Sequence, residues 1–239
     1  MKPLFLLLSI LWANTLSAQI LDTLVKKHLQ AIGGVNACAN LAPYQAQYVY
    51  ESVGDKTEIE VYRGQGKQIR VNKKYYYREQ PIQAGKVFFD VVNEQGAWSF
   101  RPDQEDTLPH AVSNYEAEFI LSSYDWLDPL VEYTKKKIRI DYLSTEYFNE
   151  TFYHKLLVFY ANGKQEYIFL HPETFLIDRR IVNDPSVDDD KTIVSYTRVA
   201  NSCLLPKEVQ VANSRLTLKS LNTLKTVNST WFSAPKKFK

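Results

Sequence analysis

The chain has 239 residues, of which 45% are hydrophobic and 23% charged, a composition that fits a globular protein and excludes a disordered one. Its 29 basic and 27 acidic residues leave a net charge of +2, which gives no electrostatic case for nucleic acid. With 16 Tyr, 12 Phe and 4 Trp but only 8 Gly, the chain favours long strands with few tight turns.

The first segment reads as a targeting signal. Lys2 supplies a positive charge, Leu4–Trp12 an apolar run and Thr15-Leu16-Ser17-Ala18 a small-residue exit, so a secretory signal peptide over residues 1–18 is predicted. The run is too short for a spanning helix of ~20 residues. No cysteine lies near the cleavage point, so no lipid anchor is expected. Residues 19–239 are expected to form one exported, soluble domain.

Ile20–Ile32 carries apolar residues at helical spacing, and Gly33-Gly34 ends it. A short further turn, Val35–Leu41, stops before Pro43. From Tyr44 the period changes to two. Strands are predicted over Tyr44–Val53, Thr57–Tyr62 (Ile59 and Val61 alternating with Glu58 and Glu60), Lys67–Val71, Lys73–Glu79, Lys86–Val92 and Ala97–Arg101. Pro102–Pro109 reads as a polar loop. Ser113 or Asn114 caps a helix carrying Tyr115, Glu116, Phe119 and Ile120 to about Tyr124. After an irregular stretch to Tyr133, Lys137–Tyr142 is a strand.

Tyr153–Ala161, Gln165–His171 and Phe175–Val182 then form an antiparallel meander, turned by Asn162-Gly163 and by Pro172-Glu173-Thr174. Its first strand is apolar on both faces: His154, Leu156, Val158 and Tyr160 on one, Tyr153, Leu157 and Phe159 with Lys155 on the other. Either something covers the outer face, or one face lines an apolar space. Late strands are predicted over Lys191–Val199, Leu205–Ala212, Leu216–Ser220 and Leu221–Thr226.

No catalytic or metal signature stands out. The four histidines, His28, His110, His154 and His171, lie far apart in sequence, although His154 and His171 fall on neighbouring strands. There is no HExxH and no G-x-S-x-G. The acidic stretch Asp184–Asp190 lacks the glycine and spacing of a calcium loop and reads as a hairpin tip. Gly64-Gln65-Gly66-Lys67 is a turn, not a phosphate loop. Lys73-Lys74 beside Tyr75-Tyr76-Tyr77 is either a solvated edge or a membrane-surface patch. Cys38 and Cys203 either pair in an oxidising compartment or are two buried small residues.

Several stretches, in order, carry a resemblance. They are the helix ending in Ala31-Ile32-Gly33-Gly34, then Gly96–Pro102, Asp128–Tyr133, His171–Ile177, Leu204–Lys207 and Trp231–Pro235. Together they resemble the periplasmic outer-membrane lipoprotein-sorting proteins, the LolA/LolB/LppX-like group. The resemblance implies a mainly β fold: an incompletely closed, strongly curved antiparallel β-barrel with helices as a lid over an apolar concave face. It implies a periplasmic, non-enzymatic carrier of lipoprotein acyl chains or other lipids, with no cofactor. His171 departs from the Asp that relatives often carry.

On that reading the candidate cavity residues are Trp98, Phe100, Leu156, Val158, Ile168 and Leu170 on strands. Phe119, Ile120, Tyr124 and Trp126 would come from the lid. The partners expected are lipid or lipoprotein acyl chains, with an envelope protein or a transient membrane-surface contact, and the protein is expected to be a monomer. The alternative is an envelope interaction or scaffold module whose core is filled by its own aromatics.

Overall fold

A computed structural model describes residues 19–82, 87–102, 108–124, 128–183, 190–200 and 203–233. The expected signal segment 1–18 and most of the acidic tip 184–190 therefore lie outside the described residues. The described residues fall into two compact units, those within 1–35 and 129–192 and those within 36–128 and 193–239.

In the second of these units α2 (Val35–Ala39) leads into a run of antiparallel strands: β1 (Tyr44–Ser52), β2 (Asp55–Arg63), β3 (Ile69–Tyr77), the two-residue β4 (Gln80–Pro81), β5 (Phe88–Asn93), β6 (Gly96–Phe100) and the short β7 (His110–Ala111). Helix α3 (Asn114–Tyr124) follows, and the end of the chain adds β13 (Leu204–Val211), β14 (Ser214–Thr223) and a 3-10 turn (Ser229–Phe232). Alternation decides which face is inside. Tyr44, Ala46 and Tyr48 on β1, Val61 on β2, Ile69 and Val71 on β3 are buried, while Gln45, Gln47, Glu60, Tyr62, Arg70 and Asn72 beside them are polar. The two strands expected between Lys67 and Glu79 are one, because Asn72 faces outward, where its amide donates to Glu60 at 3.2 Å, and does not break the ladder. The two expected after Leu216 are also one strand, β14. A register shift opposite Gln47 and Tyr48 absorbs Lys219 as an extra residue.

The other unit begins with α1 (residues 19–31), whose Leu24, Val25 and His28 are buried. Gly33 and Gly34 have φ of 106° and 94°, and the Gly34 N–H donates to the Leu29 carbonyl at 2.7 Å, so the glycines close the helix as expected. The strands are β8 (Arg139–Phe148), β9 (Thr151–Phe159), β10 (Gln165–Leu170), β11 (Ile177–Val182) and the start of β12 (Asp190–Arg198). β8 runs six residues beyond the expected Tyr142, to Phe148. Asn149 and Glu150, at φ 46° and 62°, then turn it into β9.

The hydrogen-bonded order is β7-β6-β5-β3-β2-β1-β14-β13-β12-β11-β10-β9-β8, with β4 on β3. This is a mainly antiparallel sheet of 14 strands with few helices. Because β7 and β8 end the order, the sheet is not closed among the described residues.

Candidate functional site

The apolar strip of β9 and β10 is the first candidate. Leu156 pairs with Ile168 across the two strands, Val158 with Glu166, and Leu170 with His154. Leu156, Val158, Ile168 and Leu170 are all fully buried. The strip ends in a charged device. Glu166 is fully buried and receives Arg180 through both guanidinium nitrogens, Nε at 2.9 Å and Nη2 at 2.8 Å, while the Tyr160 hydroxyl donates to it at 2.5 Å. Burial alone would raise the carboxyl, but the Arg180 guanidinium outweighs it and holds Glu166 at a pKa of about 2. Burial raises the Tyr160 phenol.

At the other end His154 stacks on Phe175 at 6.2 Å, and the buried His28 donates from Nδ1 to the Phe175 carbonyl at 2.7 Å. Burial, then the charge of Lys27, lowers the His154 pKa. His171 turns away to accept the Glu173 and Thr174 N–H groups, so His154 and His171 do not converge. No cluster of three or more metal-ligating side chains forms among the described residues.

The second apolar face of β9 is covered by its own cations. Arg139 lies over Phe159 at 3.8 Å, Lys155 over Tyr167 at 4.4 Å and Arg179 over Phe148 at 5.5 Å. Phe148 in turn stacks on Tyr153 at 4.0 Å. Each cation is paired with an acid, Lys155 with Glu146, Arg179 with Asp190 and Arg139 with Asp141, so the face is an internally neutral satellite cluster.

In the other unit, Ile120 of α3 is buried, Trp98, Phe100 and Tyr124 are half-buried, and Phe119 is 58% exposed. Trp126 lies outside the described residues. Near Tyr124 a buried ion pair joins Lys73 to Asp90 at 2.8 Å, and Ser99 donates to the same carboxylate at 2.7 Å. Burial opposes the charge on both partners. Their mutual attraction prevails, with the Tyr124 phenol adding to it at Lys73, so the lysine pKa is raised and the aspartate pKa lowered.

Among the described residues, two open grooves stand out. One, of about 400 Å³, is walled along α1 by Val25, Leu29, Val35 and Tyr133, which make its surface mostly apolar, with Asp22, Lys26 and Gln30 also lining it. The other, of about 510 Å³, lies on the polar face of β1, β2, β3 and β14 and is lined by Gln47, Glu58, Glu60, Asn72, Lys74 and Lys219 among others. None of the described cavity candidates lines either of these two grooves.

No protein-family model matches the sequence, and no curated protein matches it. Solved structures do match. A domain assigned to outer membrane lipoprotein sorting, from Vibrio parahaemolyticus, superposes with a TM-score of 0.58 at 11% identity, over 87% of this chain and 95% of that one. A LolA superfamily protein from Nitrosomonas europaea does so with a TM-score of 0.56 at 10% identity, over 88% and 97%. This chain shares the fold of these structures, one of LolA type. A DUF1329 family protein from Desulfovibrio piger shares it, with a TM-score of 0.52 at 13% identity over 89% of this chain and 96% of that one.

Within this LolA-type fold the stretches that carried the resemblance have visible work. Gly96–Phe100 is strand β6. His171–Leu176 closes the β10–β11 turn, with the His171 N–H donating to the Leu176 carbonyl at 2.9 Å. Leu204–Lys207 opens β13. Trp231 lies 4.5 Å from Tyr62, and the Phe232 carbonyl accepts from the Asn93 amide at 2.6 Å, so the closing segment is pinned to the strands. The polar groove is what the sequence reading passed over. The signal was present in the alternation of Glu58 and Glu60 with Ile59 and Val61, and in Gln45 and Gln47, which put acids and amides on one face.

Proposed function

We propose that the protein is a non-enzymatic binder and carrier of acyl chains, of lipoproteins or of other lipids, in the cell envelope. The observation that carries this reading is the LolA-type fold, matched over most of the chain by a domain assigned to outer membrane lipoprotein sorting. The reading takes residues 1–18 as an export signal, 19–239 as one working domain, the periplasm as its place and the monomer as its working form. The apolar groove along α1 is a surface suited to a hydrocarbon chain, since each methylene taken from water contributes ~0.8 kcal/mol. In one unit the strip of Leu156, Val158, Ile168 and Leu170, and in the other Trp98, Phe100, Phe119, Ile120, Tyr124 and Trp126, are the residues proposed to meet a chain when cargo enters, each set argued within its own unit.

One observation favours the second reading, a scaffold or interaction module with a self-filled core. The four strip residues are at 0% exposure and line neither open groove. Native mass spectrometry of the protein purified from its own envelope separates the two. A co-purifying lipid or acylated protein is expected for the carrier. Ligand-free protein throughout, with no uptake of added palmitate, leaves the scaffold.

A further inference from the structure

The polar groove has features that neither core packing nor acyl-chain carriage requires. Its floor is a cross-strand ladder: Gln47 of β1 pairs with Glu60 of β2 and Glu60 with Asn72 of β3, while in the next row Val49 pairs with Glu58 and Glu58 with Lys74. All these side chains share one face of the sheet.

Glu60 is oriented by neutral donors. The Gln45 amide donates to one of its oxygens at 2.7 Å and the Asn72 amide to the other at 3.2 Å. The Arg70 Nε–H donates to the Asn72 carbonyl oxygen at 2.9 Å and so fixes which way that amide points. Glu58 is held by Lys56 at 2.9 Å and by the Tyr76 hydroxyl at 3.1 Å.

The bulge in β14 shapes one wall. It leaves Lys219 without a cross-strand partner between Leu218, opposite Tyr48, and Ser220, opposite Gln47. Ser220 donates to the Gln47 carbonyl oxygen at 3.3 Å, and Lys219 lines the groove. Lys74 and Lys219 make no ion pair among the described residues, and both line the groove with Val49 and Val87.

The two carboxylates and two lysines that line the groove, with two amides, balance in charge, while Lys56 and Arg70 stand beside it on Glu58 and Asn72, which argues against a cation site and makes inorganic phosphate the charged competitor that the titration must exclude. The lining groups offer fixed acceptors and mobile donors at strand spacing, beside two apolar valines. A sugar ring presents the complement, with hydroxyl donors and acceptors around its edge and C–H groups on its face. The volume, about 510 Å³, lies within the range of small-ligand sites. We propose that this groove binds a short neutral saccharide, with the Glu60 and Glu58 carboxylates accepting from its hydroxyls and Lys74 and Lys219 donating to its oxygens. The proposal stands apart from acyl-chain binding, since the apolar groove along α1 is a different surface.

Isothermal titration of the full chain tests it, using cellobiose, maltose and N,N′-diacetylchitobiose, with spermidine and inorganic phosphate as charged comparisons. Saturable binding of at least one disaccharide is expected, little changed by added salt. Binding should weaken by roughly tenfold in Glu60→Gln, as for loss of a charge-assisted hydrogen bond, and also in Lys219→Ala. Both substitutions lie on the outward face, and unchanged circular dichroism would report an intact fold. The proposal is overturned if no disaccharide saturates, if only spermidine or phosphate binds, or if both variants bind as the parent does. Failure here leaves palmitate uptake unaffected, and failure of palmitate uptake leaves this result standing.

Discussion

Glu166 is the residue whose environment is most demanding. A fully buried carboxylate persists in an apolar strip only because Arg180 and Tyr160 satisfy it. Arg180→Met is expected to destabilise the protein by ~3–5 kcal/mol in urea unfolding, since it leaves the charge unpaired. The double variant Glu166→Leu with Arg180→Met should recover most of that loss, because an apolar pair has no charge to desolvate. The pH dependence follows from the lowered pKa. The unfolded carboxyl titrates near 4.5 and the folded one at about 2, so its stabilising contribution is complete above the unfolded value. That contribution is lost as pH falls from 4.5 towards 2, and a Glu166→Gln variant should show a flatter stability profile in that window.

At the scale of elements, α2 is tied to the residue that precedes β13. Cys38 and Cys203 form a disulfide, and both are buried, so of the two alternatives the pairing is the one that holds. The bridge closes a loop across a sequence separation of 165 residues. Replacing both cysteines with alanine is expected to cost ~2–5 kcal/mol, measured by thermal unfolding, and dithiothreitol should lower the melting temperature of the parent only. Helix α3 begins with a capping box. The Ser113 hydroxyl accepts from the Glu116 N–H at 3.2 Å, and the Ser113 N–H donates to the Glu116 carboxylate at 2.8 Å. Ser113→Ala should cost ~0.5–2 kcal/mol by the same measurement.

For the whole molecule, the LolA-type fold makes ligand linkage the informative measurement. A ligand that binds only the folded state at about 100 times its Kd adds ~2.7 kcal/mol of stability. Palmitate is therefore expected to raise the melting temperature in a concentration-dependent way. A flat titration to the solubility limit would count against acyl-chain carriage and for the self-filled core.

Much of the chain was legible locally. The helix ending at Gly33-Gly34, the helix start at Ser113 or Asn114, the Asn162-Gly163 hairpin and the period-2 strands follow from φ preferences, end-capping and alternation, which act over a few residues. The misreadings had a common cause. Asn72 reads as a break, yet it bonds across strands to Glu60. Lys219 is an extra residue that only the register against β1 reveals. The stretch from Leu143 to Tyr147 is largely exposed in a strand at the end of the order, so it carries no burial pattern to read. Composition and alternation were enough for a mainly antiparallel β protein with two longer helices and for the order of its elements. The pairing of Cys38 with Cys203, the seating of Glu166 on Arg180 and the assembly of the polar groove were decided by tertiary structure. Each depends on which strand lies beside which and in what register, and no residue's neighbours in sequence encode that.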